Sequence, residues 1–233
     1  MQHSTIWKRL KYLCFALLFI FCSPAFPTGH KSKTAMSMEK QGLVNVRTIA
    51  PTIKVDLMYA KPSNFTGRVL YTDLRDAYLL PPAAHALKRA QRLLKKRHPT
   101  YSLIIYDAAR PMSIQQKMWN VVAHTSKQIY VSNPAHGGGL HNYGMAVDIS
   151  IVDGKGHPLD MGTPVDYMGK KAHVRNEAYM VKHGLISQKA YYNRRLLRAV
   201  MTEAGYHVLP TEWWHFNYKT RKQLRAGRYK VIR

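Results

Sequence analysis

Two short segments of this 233-residue chain combine residue types that can bind a metal ion. The first runs from His141 to Asp148, and the second runs from Glu212 to His215. Two histidines and one aspartate can give zinc three protein ligands and leave a fourth position for water, which is the layout of a catalytic site. Glu212, three residues before His215, would then be placed to accept a proton from that water.

Each segment also has a simpler interpretation when it is taken alone. A histidine and an aspartate at this spacing are commonly unrelated. A Glu-x-x-His sequence on an aromatic strand is more often a surface acid followed by a core histidine. Residues three apart face opposite sides of a regular strand, so Glu212 and His215 can share a site only at a bulge or at a strand end.

The hydrophobic pattern predicts the strands and the loop that must position these residues. Residues 132–144 are rich in Gly, Asn and Pro and are predicted to form a loop. Gly144 permits a sharp entry from this loop into a predicted strand over residues 145–152. Further strands are predicted over residues 103–106, which are apolar, and 213–218, which are aromatic.

Two amphipathic stretches predict helices. One begins at Pro81-Pro82 and runs to about Lys96, and the other runs from Tyr191 to Ala204 and is stopped by Gly205. Because helices and strands mix without a β-α-β rhythm, the predicted fold class is α+β. We expect a small antiparallel sheet flanked by helices, with the zinc site in a cleft on the sheet.

The chain is strongly basic, with 36 Lys and Arg against 12 Asp and Glu and a formal net charge of +24. Its 46% hydrophobic content excludes a mainly disordered or fibrous chain, and its two cysteines exclude a disulfide-rich scaffold. The charge favours polyanionic partners, but the basic residues are scattered and match no nucleic-acid-binding motif. We interpret them as solvated faces that can help retain the protein at an anionic envelope polymer, without specific nucleic-acid binding.

The first 25 residues have the order of a secretory signal peptide. Basic residues precede an apolar run over 12–22, and Ser23-Pro24-Ala25 supplies the small residues of a cleavage site. The apolar run is too short to span a bilayer, so we expect no transmembrane span after processing and a secreted or periplasmic protein. Residues 26–42 are predicted to be a flexible lead-in, and residues 43–233 a single domain that would hold the zinc site.

Taken together, the motifs resemble a known family. His141-x-x-Gly-x-Ala-x-Asp148 followed by Glu212-Trp-Trp-His215 is similar to the zinc D-alanyl-D-alanine dipeptidases of the vancomycin-resistance (VanX) type, within a group that includes D-Ala-D-Ala carboxypeptidases and the hedgehog signalling domain. The resemblance covers residues ~50–218 in order. It extends to four further segments: Asp56-Leu-Met-Tyr59 through Asn64-Phe-Thr-Gly67, Tyr106-Asp107-Ala-Ala-Arg110-Pro111, Met161-Gly-Thr-Pro-Val-Asp166 and Asn193-Arg-Arg-Leu-Leu-Arg198.

The resemblance implies a role for each matched residue. It makes His141, Asp148 and His215 the ligands of one zinc ion and Glu212 the catalytic base and acid. Arg110 is implied to hold the scissile carbonyl oxygen, and Asp166 and Tyr59 to lie where the substrate's free amino group docks. Asp107 is either an orienter of Arg110 or a turn acid. Gly139 is a departure, because family members commonly have a serine two residues before the first ligand, near the substrate.

These observations predict zinc-dependent hydrolysis of D-Ala-D-Ala, or of a related small D,D-dipeptide, outside the cytoplasm. One alternative is a D,D- or L,D-carboxypeptidase or endopeptidase that acts on peptidoglycan stem peptides. An alternative of another class is a non-catalytic, metal-stabilised binding module. The presence of both Glu212 and Arg110 favours an enzyme.

Overall fold

A computed structural model describes residues 31–233, so the predicted signal peptide lies outside the described residues. The helices are α1 (Lys33–Lys40), α2 (Val46–Ile49), α3 (Pro81–Arg97), α4 (Met112–Val122), α5 (Glu177–Lys182), α6 (Gln188–Glu203) and α7 (Arg221–Ala226). The strands are β1 (Val44–Asn45), β2 (Lys54–Val55), β3 (Tyr78–Leu79), β4 (Ser102–Asp107), β5 (Ala146–Val152), β6 (His207–Leu209) and β7 (Glu212–Asn217). Single 3-10 turns lie at Met58–Ala60, Ser126–Tyr130, Pro134–His136, Leu140–Tyr143 and Lys170–Ala172.

The main sheet has five strands in the order β2-β4-β5-β7-β6. Strand β2 runs parallel to β4, and the other neighbours pair in antiparallel fashion. Strands β1 and β3 form a separate antiparallel pair. The predicted α+β class is confirmed, and the sheet is mixed rather than purely antiparallel because of β2.

The core lies where the central strands meet α3 and α6. Every residue of β5, the middle strand of the sheet, is buried, including the polar residues Asp148 and Ser150. Helix α3 buries an apolar stripe formed by Ala83, Leu87, Ala90 and Leu94. Helix α6 buries Leu197, Val200 and Met201, and it ends just before Gly205, whose φ of +96° a side chain would strain. Both helices thus support the strands that carry the candidate site residues.

The expected flexible lead-in differs from the structure. Within residues 26–42, α1 forms over Lys33–Lys40, and the Ser32 hydroxyl caps it by accepting a hydrogen bond from the Ala35 N–H at 3.1 Å. Ala35 and Met38, three apart on one helix face, are buried against the core. These two anchors stabilise a helix that the polar composition of the stretch concealed.

Among residues 31–233, no helix is both long enough and apolar enough to cross a membrane.

Candidate active site

The loop that carries His141 is fastened to the segment that follows β4. The His141 carbonyl accepts a hydrogen bond from the Arg110 N–H at 3.0 Å, and the Asn142 side chain donates to the Arg110 carbonyl at 2.9 Å. The loop leaves through Gly144 at φ +66°, where a Cβ would lie 2.8 Å from a Leu43 methyl carbon. The predicted sharp entry into β5 at Gly144 is therefore confirmed, and a side chain there would be both strained and crowded.

Strand pairing brings the second and third candidate ligands together. Asp148 on β5 lies directly opposite His215 on β7 in the antiparallel register. Side chains of directly opposed residues lie on the same face of a sheet, so these two are neighbours by topology. Asp148 and His141 are almost fully buried, at 3% and 4% relative exposure.

A bulge explains how Glu212 joins them. Val208 of β6 pairs with Phe216, but the next residue, Leu209, pairs with Glu212, so three residues of β7 have no partner on β6. Glu212 is also the first residue of β7. Its Oε2 atom lies 4.0 Å from His215 Nδ1. The sequence required a bulge or a strand end at this point, and the structure has both.

Three donor atoms converge on one point. His141 Nε2 and His215 Nδ1 are 3.2 Å apart, and Asp148 Oδ1 lies 3.4 Å from the first and 3.0 Å from the second. Burial alone would raise the pKa of Asp148, but the adjacent His141 and His215 rings hold it well below its usual range. The carboxylate is therefore ionised and available as a ligand.

The hydrogen bonds behind the two rings indicate that this cluster suits a cation. His141 Nδ1 lies 2.6 Å from the Ala108 carbonyl, which can only accept, so this nitrogen carries the proton. His215 Nε2 lies 2.9 Å from Asn217 Oδ1, which assigns the proton of that ring in the same way. Each ring then directs its other nitrogen toward the other ring and toward the Asp148 carboxylate. Such a group is stable only around a proton or a metal ion, and it is a candidate metal-binding group.

Glu212 is held in a poorly solvated position beside this group. Its relative exposure is 8%. Burial is the main cause that raises its pKa to about 8, and the nearby Asp148 charge adds to the effect while His215 opposes it. A carboxyl group in such surroundings can take up and release a proton near neutral pH.

Arg110 is oriented by a network that the sequence only partly revealed. Its Nε donates to Asp107 Oδ2 at 2.9 Å, and its Nη1 donates to Gln115 Oε1 at 2.9 Å. The Tyr71 hydroxyl donates to the other oxygen of Asp107 at 2.6 Å. Of the two interpretations of Asp107, the structure favours the orienter. Arg110 Nη2 reaches to 3.6 Å from Asp148 Oδ2, beside the donor cluster.

The predicted substrate residues Tyr59 and Asp166 meet in the same cleft. The Tyr59 hydroxyl donates to Asp166 Oδ2 at 2.6 Å, and the Arg110 guanidinium lies over the Tyr59 ring at 5.3 Å. Burial is the first cause that raises the pKa of Asp166 to about 7, and the Asp148 charge is the second. Burial also keeps the pKa of Tyr59 well above its usual value, so its hydroxyl stays protonated and donates.

The loop that carries Asp166 is under strain and is anchored from α6. Asp166 has a φ of +64°, which an aspartate adopts at a cost of about 1 kcal/mol. Buried Arg194 donates from Nε to the Met161 carbonyl at 2.7 Å and from Nη2 to the Lys171 carbonyl at 2.9 Å. These bonds fasten the loop on both sides of Asp166. Sequence reasoning matched the segment around Arg194 but missed this function, because the partners are carbonyl groups with no sequence signature.

All seven predicted site residues line one cavity of about 440 Å³. They are His141, Asp148, His215, Glu212, Arg110, Asp166 and Tyr59. A cleft that combines a candidate metal-binding group, a buried acid and a guanidinium is typical of metallopeptidases.

The comparisons with known proteins agree with that class. The chain belongs to the peptidase family described as D-Ala-D-Ala dipeptidase, whose profile matches residues 39–230, and the peptidases of this family are metallopeptidases. A D-alanyl-D-alanine dipeptidase of Escherichia coli (strain K12) is 33% identical over 75% of this chain and 83% of its own length. Proteins of the same name from Synechocystis and Enterococcus faecium are 27% and 24% identical, over 56% and 75% of this chain and 65% and 90% of their own lengths.

Proposed function

We propose that this protein is a zinc-dependent dipeptidase that hydrolyses D-Ala-D-Ala, or a closely related D,D-dipeptide, outside the cytoplasm. The observation that carries the proposal is the joint presence, in one cavity, of the His-Asp-His donor cluster, Glu212 and Arg110. The names of the three relatives support the choice of substrate. The leader-like first 25 residues support the location.

The donor cluster supports zinc as the metal. The three donor–donor distances of 3.0, 3.2 and 3.4 Å match the edge of about 3.3 Å expected when bonds of 2.0–2.1 Å point to the corners of a tetrahedron. Nitrogen and carboxylate donors suit this ion, and three protein ligands leave one position open. His141, Asp148 and His215 would hold the ion, which when bound supplies Lewis acidity and lowers the pKa of water toward 7.

Glu212 and Arg110 perform the proton transfer and the charge stabilisation in this proposal. Glu212 accepts the proton of the attacking water and delivers it to the leaving amine. As water adds to the scissile carbonyl, negative charge develops on its oxygen. The Arg110 guanidinium, fixed by Asp107 and Gln115, offers positive charge to that oxygen without having to reorganise.

Asp166 and Tyr59 select a substrate with a free amino group. An ammonium ion placed against Asp166 makes a charge-assisted hydrogen bond. The nearby Tyr59 hydroxyl fixes one carboxylate oxygen at 2.6 Å and leaves the other to the ligand. A requirement for a free amino terminus separates a dipeptidase from an enzyme that trims longer peptides.

The test is incubation of the purified protein with free D-Ala-D-Ala and with a pentapeptide stem, each with and without a chelator. The proposal predicts cleavage of the dipeptide, little cleavage of the stem peptide, and loss of activity with the chelator that zinc restores. Preferred cleavage of the stem would instead identify a carboxypeptidase. Metal binding without any turnover would identify a binding module.

A further inference from the structure

A dipeptide has two charged ends, and the residues discussed so far account for only the ammonium. Its carboxylate needs a cationic or hydrogen-bonding partner in the same cleft. The non-histidine cations that line the cavity are Arg110, Lys219 and Arg221. Arg110 already donates to Asp107 and Gln115, and Lys219 lies over the Tyr218 ring at 5.2 Å.

Arg221, like Lys219, has no carboxylate partner among the described residues, but hydrogen bonds hold its guanidinium in the cleft. Its Nη2 donates to the Ser132 hydroxyl oxygen at 3.0 Å, and its Nη1 donates to the Gly138 carbonyl at 3.3 Å. Both acceptors are neutral, and among residues 31–233 no carboxylate lies within 4.0 Å of its guanidinium. Because a guanidinium has five N–H groups, Arg221 keeps both its charge and unused donors.

Ser132 presents a hydroxyl to the cleft beside Arg221. Because its oxygen accepts from Arg221, its own O–H is free to donate to a ligand. Its backbone is tied to Arg110, since Gln115 donates to the Ser132 carbonyl at 2.7 Å and accepts from Arg110 at 2.9 Å. The pair of Ser132 and Arg221 is thereby fixed relative to the donor cluster.

Gly139 makes room for this hydroxyl. Its φ of −115° and ψ of −179° are extended backbone that any residue adopts, so glycine is not needed there for conformation. A Cβ at position 139 would, however, lie 2.8 Å from Ser132 Oγ. The hydroxyl of Ser132 thus occupies the space beside residue 139 where the family resemblance leads one to expect a serine side chain.

We propose that Arg221 and Ser132 form the subsite that binds the C-terminal carboxylate of the substrate. Arg221 supplies the positive charge, and Ser132 supplies a second, directed donor. The inference rests on the proposed function for the identity of the ligand as a zwitterionic dipeptide. With Asp166 for the ammonium, the cleft then carries one charge for each end of the substrate, which restricts it to short peptides with both ends free.

The test compares D-Ala-D-Ala with its C-terminal amide in the Arg221→Gln and Ser132→Ala variants. Arg225→Gln is the matched control, because Arg225 lies one turn further along α7 and does not line the cavity. A lost charge-assisted bond predicts a roughly 10- to 100-fold lower kcat/KM for the free acid in Arg221→Gln, mostly through KM, with little change for the amide. Ser132→Ala should lower kcat/KM by a smaller factor, again for the free acid and not for the amide. Arg225→Gln should change neither value.

A relocated hydroxyl tests the role of Ser132 further. The double variant Ser132→Gly, Gly139→Ser places a hydroxyl on the neighbouring backbone, and it should recover part of the acid-over-amide preference that Ser132→Ala loses. Calorimetric binding of both ligands to zinc-loaded protein with Glu212→Gln repeats the comparison without turnover. If Arg221→Gln lowers kcat/KM and binding equally for the free acid and for the amide, or lowers them for neither, the subsite is refuted. Failure of the proposed function would instead appear as no hydrolysis by the unaltered protein, whatever the binding preference.

Discussion

Replacing Asp166 by Asn should lower activity and raise stability, two effects of opposite sign from one charge. Asn has nearly the same shape and tolerates the observed φ of +64°, so the loop should keep its conformation. Loss of a charge-assisted bond of about 1.5–3 kcal/mol predicts a roughly 10- to 100-fold lower kcat/KM for free D-Ala-D-Ala. N-acetylated dipeptide, which has no ammonium, should be hydrolysed equally slowly by both proteins.

The pH dependence of substrate selection follows from the raised pKa of Asp166, about 7. Below that pH the carboxyl group becomes protonated and can no longer pair with an ammonium. The substrate's own amino group loses its charge above about pH 8. The ratio of kcat/KM for free over acetylated dipeptide should therefore be highest between these values and fall as the pH drops below 7. In the Asp166→Asn variant, this ratio should no longer fall as the pH drops below 7.

The stability effect has the other sign. An unfolded aspartate has a pKa of about 3.9, so the raised folded-state value of about 7 means that ionisation of Asp166 disfavours the folded state. Below about pH 4 the folded state is free of this penalty, because Asp166 is protonated in both states. The folded state loses stability as the pH rises from there through 7. Three pKa units correspond to at most about 4 kcal/mol, and the partial exposure of the side chain reduces this to roughly 1–3 kcal/mol.

Chelator-treated protein measured by denaturant unfolding at pH 4 and pH 8 tests this reasoning. Asp166→Asn should match the parent at pH 4 and exceed it at pH 8. Asp153→Asn is the control of opposite sign: the His157 N–H lowers the pKa of Asp153, so its ionised form stabilises the fold and its loss should slightly weaken the protein at pH 8. An Asp166→Asn protein that is less stable than the parent at pH 8, or that keeps full selectivity for free dipeptide, would refute the argument.

Three further outcomes are expected. Arg194→Met should reduce the selectivity for free over acetylated dipeptide and destabilise the protein by about 1–3 kcal/mol, with metal content retained, because it releases loop 161–171 and leaves the Met161 and Lys171 carbonyl groups without their donor; selectivity assays and denaturant unfolding measure both. Gly144→Ala should lower the melting temperature and the metal content together, since the added methyl meets Leu43 at a backbone φ of +66°. N-terminal sequencing of exported protein should find Phe26 first, and a start at Met1 would contradict the predicted leader.

The sequence predicted the elements that bury long apolar runs, and it named the three residues that the structure brings together as a candidate metal-binding group. The stripe of α3 and strands β4, β5 and β7 follow from periodicity, because burial leaves a regular mark on residue type. The sequence shows that a bulge or a strand end is needed for Glu212 and His215 to share a site, but it does not show where the strand pairing shifts. The position of the shift depends on how β6 pairs with β7, which no local pattern records.

Other features could not be predicted because their partners are backbone groups or distant residues. The contacts of Arg194 with two carbonyl groups leave no trace in residue types. Tyr71 meets Asp107 only after the chain has folded, across 36 residues. The short helix α1 was missed because two buried side chains, Ala35 and Met38, stabilise a segment whose composition is polar. Tertiary packing outweighs local propensity in each case.

The central claim is that three residues hold a metal while Glu212 works beside it as the base. Parallel measurement of metal content and D-Ala-D-Ala hydrolysis in Glu212→Gln and His215→Ala tests this claim most directly. Glu212→Gln should keep one zinc per chain and lose at least about 10²- to 10⁴-fold in rate, the usual worth of general acid–base assistance. His215→Ala should lose both metal and activity. Full zinc with a near-parental rate in Glu212→Gln would contradict the mechanism, and loss of zinc in step with His215→Ala would make Glu212 a ligand instead.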